Sequence, residues 1–247
     1  MHLDVVFLPG GINNNNLAGR TGVVIDVLRA TTTIIVALSN GCPEILPVDL
    51  PEEAMELARK FGRDSHLVGG ERKGLKVEGF DLGNSPCEYT AENLSGRKII
   101  LCTTNGTRTI RRAASAQARP IYLAALLNAP AVAGSLLAAG NPATLICAGR
   151  EEAFALEDAL CAGAIAAQII GGSGWAATDG ARAAAALWEK YGQNNLETAL
   201  AETDHGRYLA SIGFTADIAL ASQFGTSKIL PVFREGCVIP SDQDSRD

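Results

Sequence analysis

A carboxylate, a guanidinium and three hydroxyl groups lie close together near the start of the chain. Asp26 ends an apolar, β-branched run, Arg29 follows three residues later, and a triple threonine occupies positions 31–33. An aspartate in this position can hold a metal ion or take part in chemistry, and an arginine can bind an anion through paired hydrogen bonds. The structural alternative is that Asp26 only caps a turn and that Arg29 only pairs with it.

The surrounding sequence predicts the elements that would hold these side chains. Residues 22–27 have the pattern of a buried strand, and residues 34–38 continue as an apolar helix. Ligands of open parallel sheets bind outside the carboxyl ends of strands, and free N–H groups at a helix N-terminus favour anions. We therefore expect an anion-binding turn at the end of this strand, followed by a helix that a threonine caps.

Two further loops repeat this arrangement, in which an apolar strand leads into a polar loop that opens a helix. They are residues 103–108, rich in hydroxyl and amide groups, and residues 149–158, which contain one arginine and several acids. Each also has a structural interpretation, because Asn-Gly makes common tight turns and acids in a first helical turn favour the helix dipole. The repeated pattern predicts that loops of adjacent parallel strands converge at one edge of the sheet.

Two shorter acidic and basic pairs are further candidates. Glu71 and Arg72 follow another predicted strand, where a surface ion pair is the alternative. Asp204 and His205 can cap a helix or reach the site. The run of asparagines at 13–16 predicts a surface loop without function.

The glycine-rich stretch 171–174 predicts the domain organisation. It would separate a main α/β lobe, residues 1–171, from a helical lobe with short strands, residues 172–247, and a single domain is the alternative. Alternating strands and helices along the chain predict an α/β fold with a mostly parallel sheet.

Composition excludes several classes of protein. The net charge is −6 and there is no basic stretch, which disfavours nucleic-acid binding. No signal-peptide pattern or membrane-spanning run is present, so we expect a cytoplasmic protein without a membrane partner. The six cysteines form no C-x-x-C pair and are predicted to be reduced, mainly in the core. An alanine-rich helix face could pair with a second copy, which makes a homodimer one alternative.

Familiar nucleotide and hydrolase motifs are also absent. The sequence has no P-loop, no dinucleotide fingerprint after a strand and no G-x-S-x-G elbow. What remains is an anion pocket of mixed carboxylates and arginines. Such a pocket suits Mg²⁺-dependent hydrolysis of a phosphate ester, and the alternative is a non-catalytic protein that binds a phosphometabolite.

Four stretches, taken in order, resemble the signature of the 2-phosphosulfolactate phosphatase family. They are residues 24–33, residues 70–72 with 79–86, residues 103–107, and residues 147–158. The resemblance covers nearly the whole chain. It implies a three-layer αβα fold with the site in a cleft at the carboxyl ends of the strands. It also implies a Mg²⁺-dependent acid phosphatase that converts 2-phosphosulfolactate to 3-sulfolactate and phosphate in coenzyme M biosynthesis.

The resemblance further implies a role for each matching position. Asp26 would be a metal ligand or the nucleophile. The implied catalytic residues are Asp26, Arg29, Glu71 and Asp158. The implied metal ligands are Asp26, Glu71 and Glu157. The implied contacts to a small anionic phosphate or sulfonate substrate are Thr31, Thr32, Thr33, Arg72, Asn84, Thr104, Asn105, Gly106, Thr107 and Arg150.

Overall fold

A computed structural model describes residues 1–62, 64–171, 174–192 and 195–241. Within these residues, eleven strands form one mixed, mostly parallel sheet, and helices flank it. The predicted α/β fold of three αβα layers is confirmed. Among the same residues, no helix combines the length and apolar character that crossing a membrane requires.

The described residues contain eleven strands. In chain order they are β1 (His2–Val6), β2 (Thr21–Ile25), β3 (Ile45–Val48), β4 (His66–Arg72), β5 (Leu75–Lys76), β6 (Lys98–Cys102), β7 (Ile121–Ala124), β8 (Ala143–Cys147), β9 (Ala176–Ala177), β10 (Pro231–Arg234) and β11 (Cys237–Pro240). Every residue of β2 and of β8 is buried, as expected for parallel strands covered on both faces.

The helices connect these strands. They are α1 (Asn14–Leu17), α2 (Ala30–Ser39), α3 (Pro51–Phe61), α4 (Ala91–Leu94), α5 (Gly106–Ser115), α6 (Ala129–Ala139), α7 (Leu156–Ile170), α8 (Asp179–Leu187), α9 (Leu196–Ala201), α10 (Asp204–Ser211) and α11 (Thr215–Ala221). Short 3-10 turns lie at Pro9–Gly11, Pro86–Glu88 and Leu126–Asn128, and a π-helical segment at Trp188–Gly192. The loop predicted at 13–16 is wrong, because Asn13 caps α1 through a hydrogen bond from the backbone N–H of Asn15.

The order of strands across the sheet is β5-β4-β6-β3-β11-β10-β7-β2-β8-β1-β9. It contains two parallel blocks, β4-β6-β3 and β7-β2-β8-β1-β9. The antiparallel hairpin of β10 and β11 lies between them and pairs antiparallel with both neighbours. Three successive antiparallel pairings separate the two blocks, so their strands run in opposite directions. In a flat sheet the carboxyl ends of the two blocks would therefore lie at opposite edges.

The two blocks nevertheless meet at their carboxyl ends. Gly106, after β6, lies so close to Asp26, after β2, that a Cβ on the glycine would be 2.7 Å from Asp26 Oδ2. The side chain of Asn105 also accepts a hydrogen bond from the backbone of Glu151, after β8. The reversed direction of the two blocks thus does not keep their carboxyl ends apart, which fits the rotation of each strand relative to its neighbour in a twisted sheet. This corrects the prediction that the converging loops follow adjacent strands, because β6 and β2 are not adjacent.

The chain beyond residue 171 contributes to the same sheet. It supplies β9 at one edge and the hairpin of β10 and β11 in the interior. Its helix α8 packs closely on the alanine-rich α7, where a Cβ on Gly163 would lie 2.1 Å from the carbonyl oxygen of Ala184. Residues 172 and 173, at the predicted lobe boundary, lie outside the described residues, and the division into two lobes stays a prediction.

Candidate active site

A cavity of about 490 Å³ lies where the carboxyl ends of β2, β4, β6 and β8 meet, and α10 forms one of its walls. Its lining residues are Asp26, Leu28, Arg29, Glu71, Arg72, Lys73, Gly74, Asn84, Thr103, Thr104, Asn105, Arg150, Glu151, His205 and Tyr208. Eight of these were predicted as site residues, namely Asp26, Arg29, Glu71, Arg72, Asn84, Thr104, Asn105 and Arg150. The loops predicted to converge therefore do so.

Asp26 is a buried carboxylate at the inner end of this cavity. It is the first residue after β2, and its Oδ1 accepts a hydrogen bond from the backbone N–H of Ala30 at 3.2 Å. Helix α2 thus begins at Ala30, with Arg29 at its N-cap position, and Asp26 accepts the N–H of its first residue, so the predicted threonine cap is wrong. Asp26 Oδ2 accepts no hydrogen bond from any described residue, which leaves it available to a ligand.

The surroundings of Asp26 make its ionisation difficult. Burial is the largest influence and raises the pKa of this carboxyl to about 6, and the nearby charges of Glu71 and Glu157 add to the increase. His205 and the hydrogen bond from Ala30 act in the opposite direction. A carboxyl that exchanges its proton near neutral pH is typical of functional sites.

Glu71 joins two loops of the cavity. Its Oε2 accepts from the backbone N–H of Gly74 and its Oε1 from that of Thr104, both at 2.8 Å. Beside it, Thr104 Oγ1 and Asn84 Oδ1 are buried and have no hydrogen-bond partner among the described residues. Unsatisfied buried oxygens are rare in folded proteins, so these two atoms mark a place where a ligand can bind.

Arg29 is held by a buried ion pair. Its Nη1 donates to Asp217 Oδ2 at 2.7 Å, its Nη2 donates to the carbonyl oxygen of Gly74 at 2.6 Å, and its guanidinium lies 4.4 Å from the ring centre of Phe214. Asp217 also accepts from Ser85 Oγ at 2.5 Å. Asp217 is not among the residues predicted from the sequence, although an acid inside the apolar stretch of α11 is a signal that could have revealed it.

Arg72 is also committed to the protein. Its Nη1 donates to the carbonyl oxygen of Glu71, and its Nη2 donates to the carbonyl oxygen of Asp49 and to the sulfur of Cys102. Arg150 is freer, with one long hydrogen bond of 3.4 Å from Nη1 to the carbonyl oxygen of Asp204.

Five of the predicted substrate contacts do not line the cavity, and they contact other parts of the protein instead. The Thr31 hydroxyl donates to the carbonyl oxygens of Asp26 and Ala124. The Thr32 hydroxyl donates to that of Val27, and the Thr33 hydroxyl to that of Asn84. Thr107 exchanges hydrogen bonds with Thr103. Gly106 serves as a spacer, because a Cβ there would collide with Ala30 and Asp26. Spacing placed these residues near the site but could not reveal which way their side chains point.

Glu157 and Asp158 lie behind the cavity. Asp158 accepts from the backbone N–H groups of Val27 and Gly149 at 2.8 and 3.0 Å, so it ties the loops after β2 and β8 together. Burial, followed by the charges of Asp26 and Glu157, raises its pKa well above the ordinary value. Glu157 Oε1 is 3.4 Å from His205 Nδ1, and both residues line a smaller cavity of about 190 Å³.

The donor atoms at the inner end suit a hard cation that keeps water ligands. No three His, Cys, Asp or Glu side chains among the described residues are grouped to hold a metal by themselves. However, Asp26 Oδ2, Glu71, Asn84 Oδ1 and Thr104 Oγ1 all offer oxygen on the same cavity. Mg²⁺ is commonly bound by one or two carboxylates together with water and substrate phosphate. The residues present therefore fit Mg²⁺.

Comparison with known proteins gives a consistent result. The family model described as 2-phosphosulpholactate phosphatase matches residues 6–236. A relative from Symbiobacterium thermophilum is 46% identical over 224 residues, covering 90% of this chain and 95% of the relative. One from Caldanaerobacter subterraneus is 40% identical over 244 residues, covering 99% and 100%. Both are named probable 2-phosphosulfolactate phosphatase. The match extends over nearly the whole chain, including all four loops of the cavity, and the protein belongs to the 2-phosphosulfolactate phosphatase family.

Proposed function

We propose that this protein is a Mg²⁺-dependent phosphatase that hydrolyses 2-phosphosulfolactate to 3-sulfolactate and phosphate. The observation that carries the proposal is the free Oδ2 atom of the buried Asp26, which faces a cavity lined by further oxygen donors and by basic side chains. The family of the chain and the names of its relatives support the choice of substrate. The reaction would be the step of coenzyme M biosynthesis that the family resemblance implies.

In this proposal Asp26 and Glu71 hold Mg²⁺, and the side-chain oxygens of Asn84 and Thr104 complete the inner end. When bound, the ion neutralises charge on the phosphate oxygens. Glu157 is a less direct candidate ligand, because it does not line the main cavity and its carboxylate faces His205. We therefore propose that Glu157 acts through His205, and that Asp158 positions the two loops that it joins.

Two routes for the phosphoryl group remain open to Asp26. As a nucleophile, its Oδ2 would form a bond to phosphorus while the bond from phosphorus to the ester oxygen breaks, and water would then release phosphate. As a metal ligand, it would orient the substrate, and water would attack phosphorus directly. In both routes the leaving alkoxide takes up a proton, and a protonated carboxyl that donates it would favour activity at acidic pH.

Arg29 contributes a fixed positive charge. Asp217 and Gly74 bind one N–H of each terminal nitrogen, and the remaining N–H groups can face the cavity. A guanidinium held in place by the protein stabilises the charge of the transferring group without reorganising during the reaction.

Phosphate release from 2-phosphosulfolactate, with and without Mg²⁺, tests the proposal. We expect turnover that depends on added Mg²⁺, is abolished by a chelator and is lost in Asp26→Asn. The exposed Asp179→Asn, in the first turn of α8, is the matched control and should retain wild-type turnover. Wild-type protein that binds phosphorylated acids but releases no phosphate would instead support the non-catalytic alternative.

A further inference from the structure

Four arginine and lysine side chains line the cavity, but they differ in how firmly the protein holds them. Arg29 and Arg72 each donate hydrogen bonds to two or more groups of the protein. Lys73 and Arg150, by contrast, form no ion pair with any described carboxylate, and Lys73 is exposed at the surface. The cations available to a second charged group of a ligand are therefore Lys73 and Arg150.

Tyr208 of α10 connects these two cations. Its hydroxyl donates to the carbonyl oxygen of Lys73 at 2.9 Å, and the guanidinium carbon of Arg150 lies 4.7 Å from the centre of its ring. Arg150 also donates to the carbonyl oxygen of Asp204, at the start of the same helix. One helix thus positions the turn after β4 and the loop after β8.

The turn that carries Lys73 fits closely against α10. Gly74 has a φ of +73°, and a Cβ there would lie 2.9 Å from Ile212 Cδ1 and 3.3 Å from Tyr208 Cε1. A glycine is required because the backbone is left-handed and the helix leaves no space. The position of the Lys73 backbone is therefore set by packing, while its ammonium group forms no hydrogen bond or ion pair with the described part of the chain.

We propose that Lys73, Arg150 and Tyr208 form a second anion subsite, which binds an acidic group of the substrate that is not transferred. This inference rests on the proposed function and specifies which residues determine substrate choice. 2-Phosphosulfolactate carries a sulfonate and a carboxylate besides its phosphate. Asp26 and Glu71 would repel these groups at the inner end, whereas Lys73 and Arg150 attract them. Glu151 also lines the cavity, so Lys73, Arg150 and Glu151 together carry one net positive charge.

Three esters separate the acidic groups of the substrate. They are 2-phosphosulfolactate, 2-phospholactate, which lacks the sulfonate, and isopropyl phosphate, which lacks both acids. In Lys73→Met we expect the ratio of kcat/KM for 2-phosphosulfolactate to that for isopropyl phosphate to fall by about tenfold or more, the usual effect of losing a charge-assisted hydrogen bond. The fall in this ratio should come from a higher KM for 2-phosphosulfolactate rather than from a lower kcat. If the variant loses its preference for 2-phosphosulfolactate over 2-phospholactate, Lys73 binds the sulfonate. If it loses its preference for 2-phospholactate over isopropyl phosphate, Lys73 binds the carboxylate.

The same hairpin offers a control. Lys76 is an exposed lysine on β5 that does not line the cavity, and Lys76→Met should keep the wild-type ratio. Tyr208→Phe keeps the ring beneath Arg150 but loses the bond to Lys73, and it should lower the ratio less than Lys73→Met does. An equal loss of kcat/KM for all three esters in Lys73→Met, or no loss, would overturn the subsite.

A binding measurement separates this proposal from the function on which it rests. If the wild-type protein hydrolyses none of the three esters, the proposed function fails. Calorimetric binding of 3-sulfolactate then decides the subsite alone: weaker binding to Lys73→Met than to Lys76→Met supports it, and equal binding contradicts it.

Discussion

The inner end and the mouth of the cavity are built in different ways. At the inner end, Asp26, Glu71 and Arg29 are buried, and backbone N–H groups or a buried ion pair fix their side chains. The mouth is the part of the cavity that Lys73 and Arg150 line, and Lys73 is exposed there. Tyr208 binds the carbonyl oxygen of Lys73, and its ring lies against the guanidinium of Arg150. Fixed charges suit a reacting group, because they stabilise its developing charge without reorganising during the reaction.

This difference implies a difference in energetic cost. A buried carboxylate with a raised pKa destabilises the folded protein, while exposed cations contribute little in either direction. We therefore expect changes at the inner end to alter stability and kcat, and changes at the mouth to alter mainly KM.

The largest expected effect is the loss of the ion pair beneath Arg29. Asp217→Ala leaves the buried guanidinium without its charged partner and should lower the free energy of unfolding by about 3–5 kcal/mol. Arg150→Met, at the mouth, should change it by less than about 1 kcal/mol. Urea denaturation of the two variants measures both values, and equal values would remove the contrast between the two ends.

The next effect is catalytic. Asp26→Asn should lower kcat by about a hundredfold or more, as expected when a catalytic carboxylate is lost, while Lys73→Met should alter kcat little. Steady-state kinetics with saturating Mg²⁺ measures both. A variant Asp26→Asn with wild-type turnover would exclude Asp26 from the mechanism.

The pH dependence of stability is a further test of the inner end. The pKa of Asp26 is higher in the folded protein, at about 6, than its ordinary value of 3.8, so the folded state binds more protons between these values. The contribution of Asp26 to stability is therefore present below about pH 4 and is lost as the pH rises through 6. In Mg²⁺-free buffer at pH 8, Asp26→Asn should be more stable than wild type by up to about 3 kcal/mol.

Thermal unfolding across pH 4–8 measures this difference between Asp26→Asn and wild type. The gain should vanish at the acidic end, and Mg²⁺ should reduce it at pH 8 because the ion binds the carboxylate of the wild type. A gain in stability that is constant with pH would show that ionisation of Asp26 does not destabilise the folded protein.

The smallest expected effect is at the mouth. Tyr208→Phe removes one hydrogen bond at the surface and should cost about 1 kcal/mol or less in stability. Its KM for 2-phosphosulfolactate should nevertheless rise measurably, since the turn carrying Lys73 loses its tie to α10. Stability loss without any change in KM would reduce Tyr208 to a packing role.

The parts of the site that lie on single strand–loop–helix units could be predicted from the sequence. β2, β6 and β8 end within a few residues of their predicted positions, and Asp26, Asn105 and Arg150 all line one cavity. An apolar run that ends in polar residues reports the end of a buried strand directly, which is why these loops could be identified.

The remaining parts depend on long-range packing. Lys73, Tyr208 and Asp217 were missed because their roles depend on helices from the end of the chain. Helix α10 brings Tyr208 to the cavity and to the Lys73 backbone, and α11 brings Asp217 to Arg29. The insertion of β10 and β11 between two parallel blocks has no local signal either. The threonine hydroxyls at 31–33 turn to carbonyl oxygens, a direction that residue type and spacing do not specify.

A crystal structure of the protein with Mg²⁺ and 3-sulfolactate would test the central claim most directly. The account predicts Mg²⁺ within bonding distance of Asp26, with Glu71 beside it, and an acidic group of 3-sulfolactate between Lys73 and Arg150. Mg²⁺ bound away from Asp26, or a ligand outside this cavity, would contradict it.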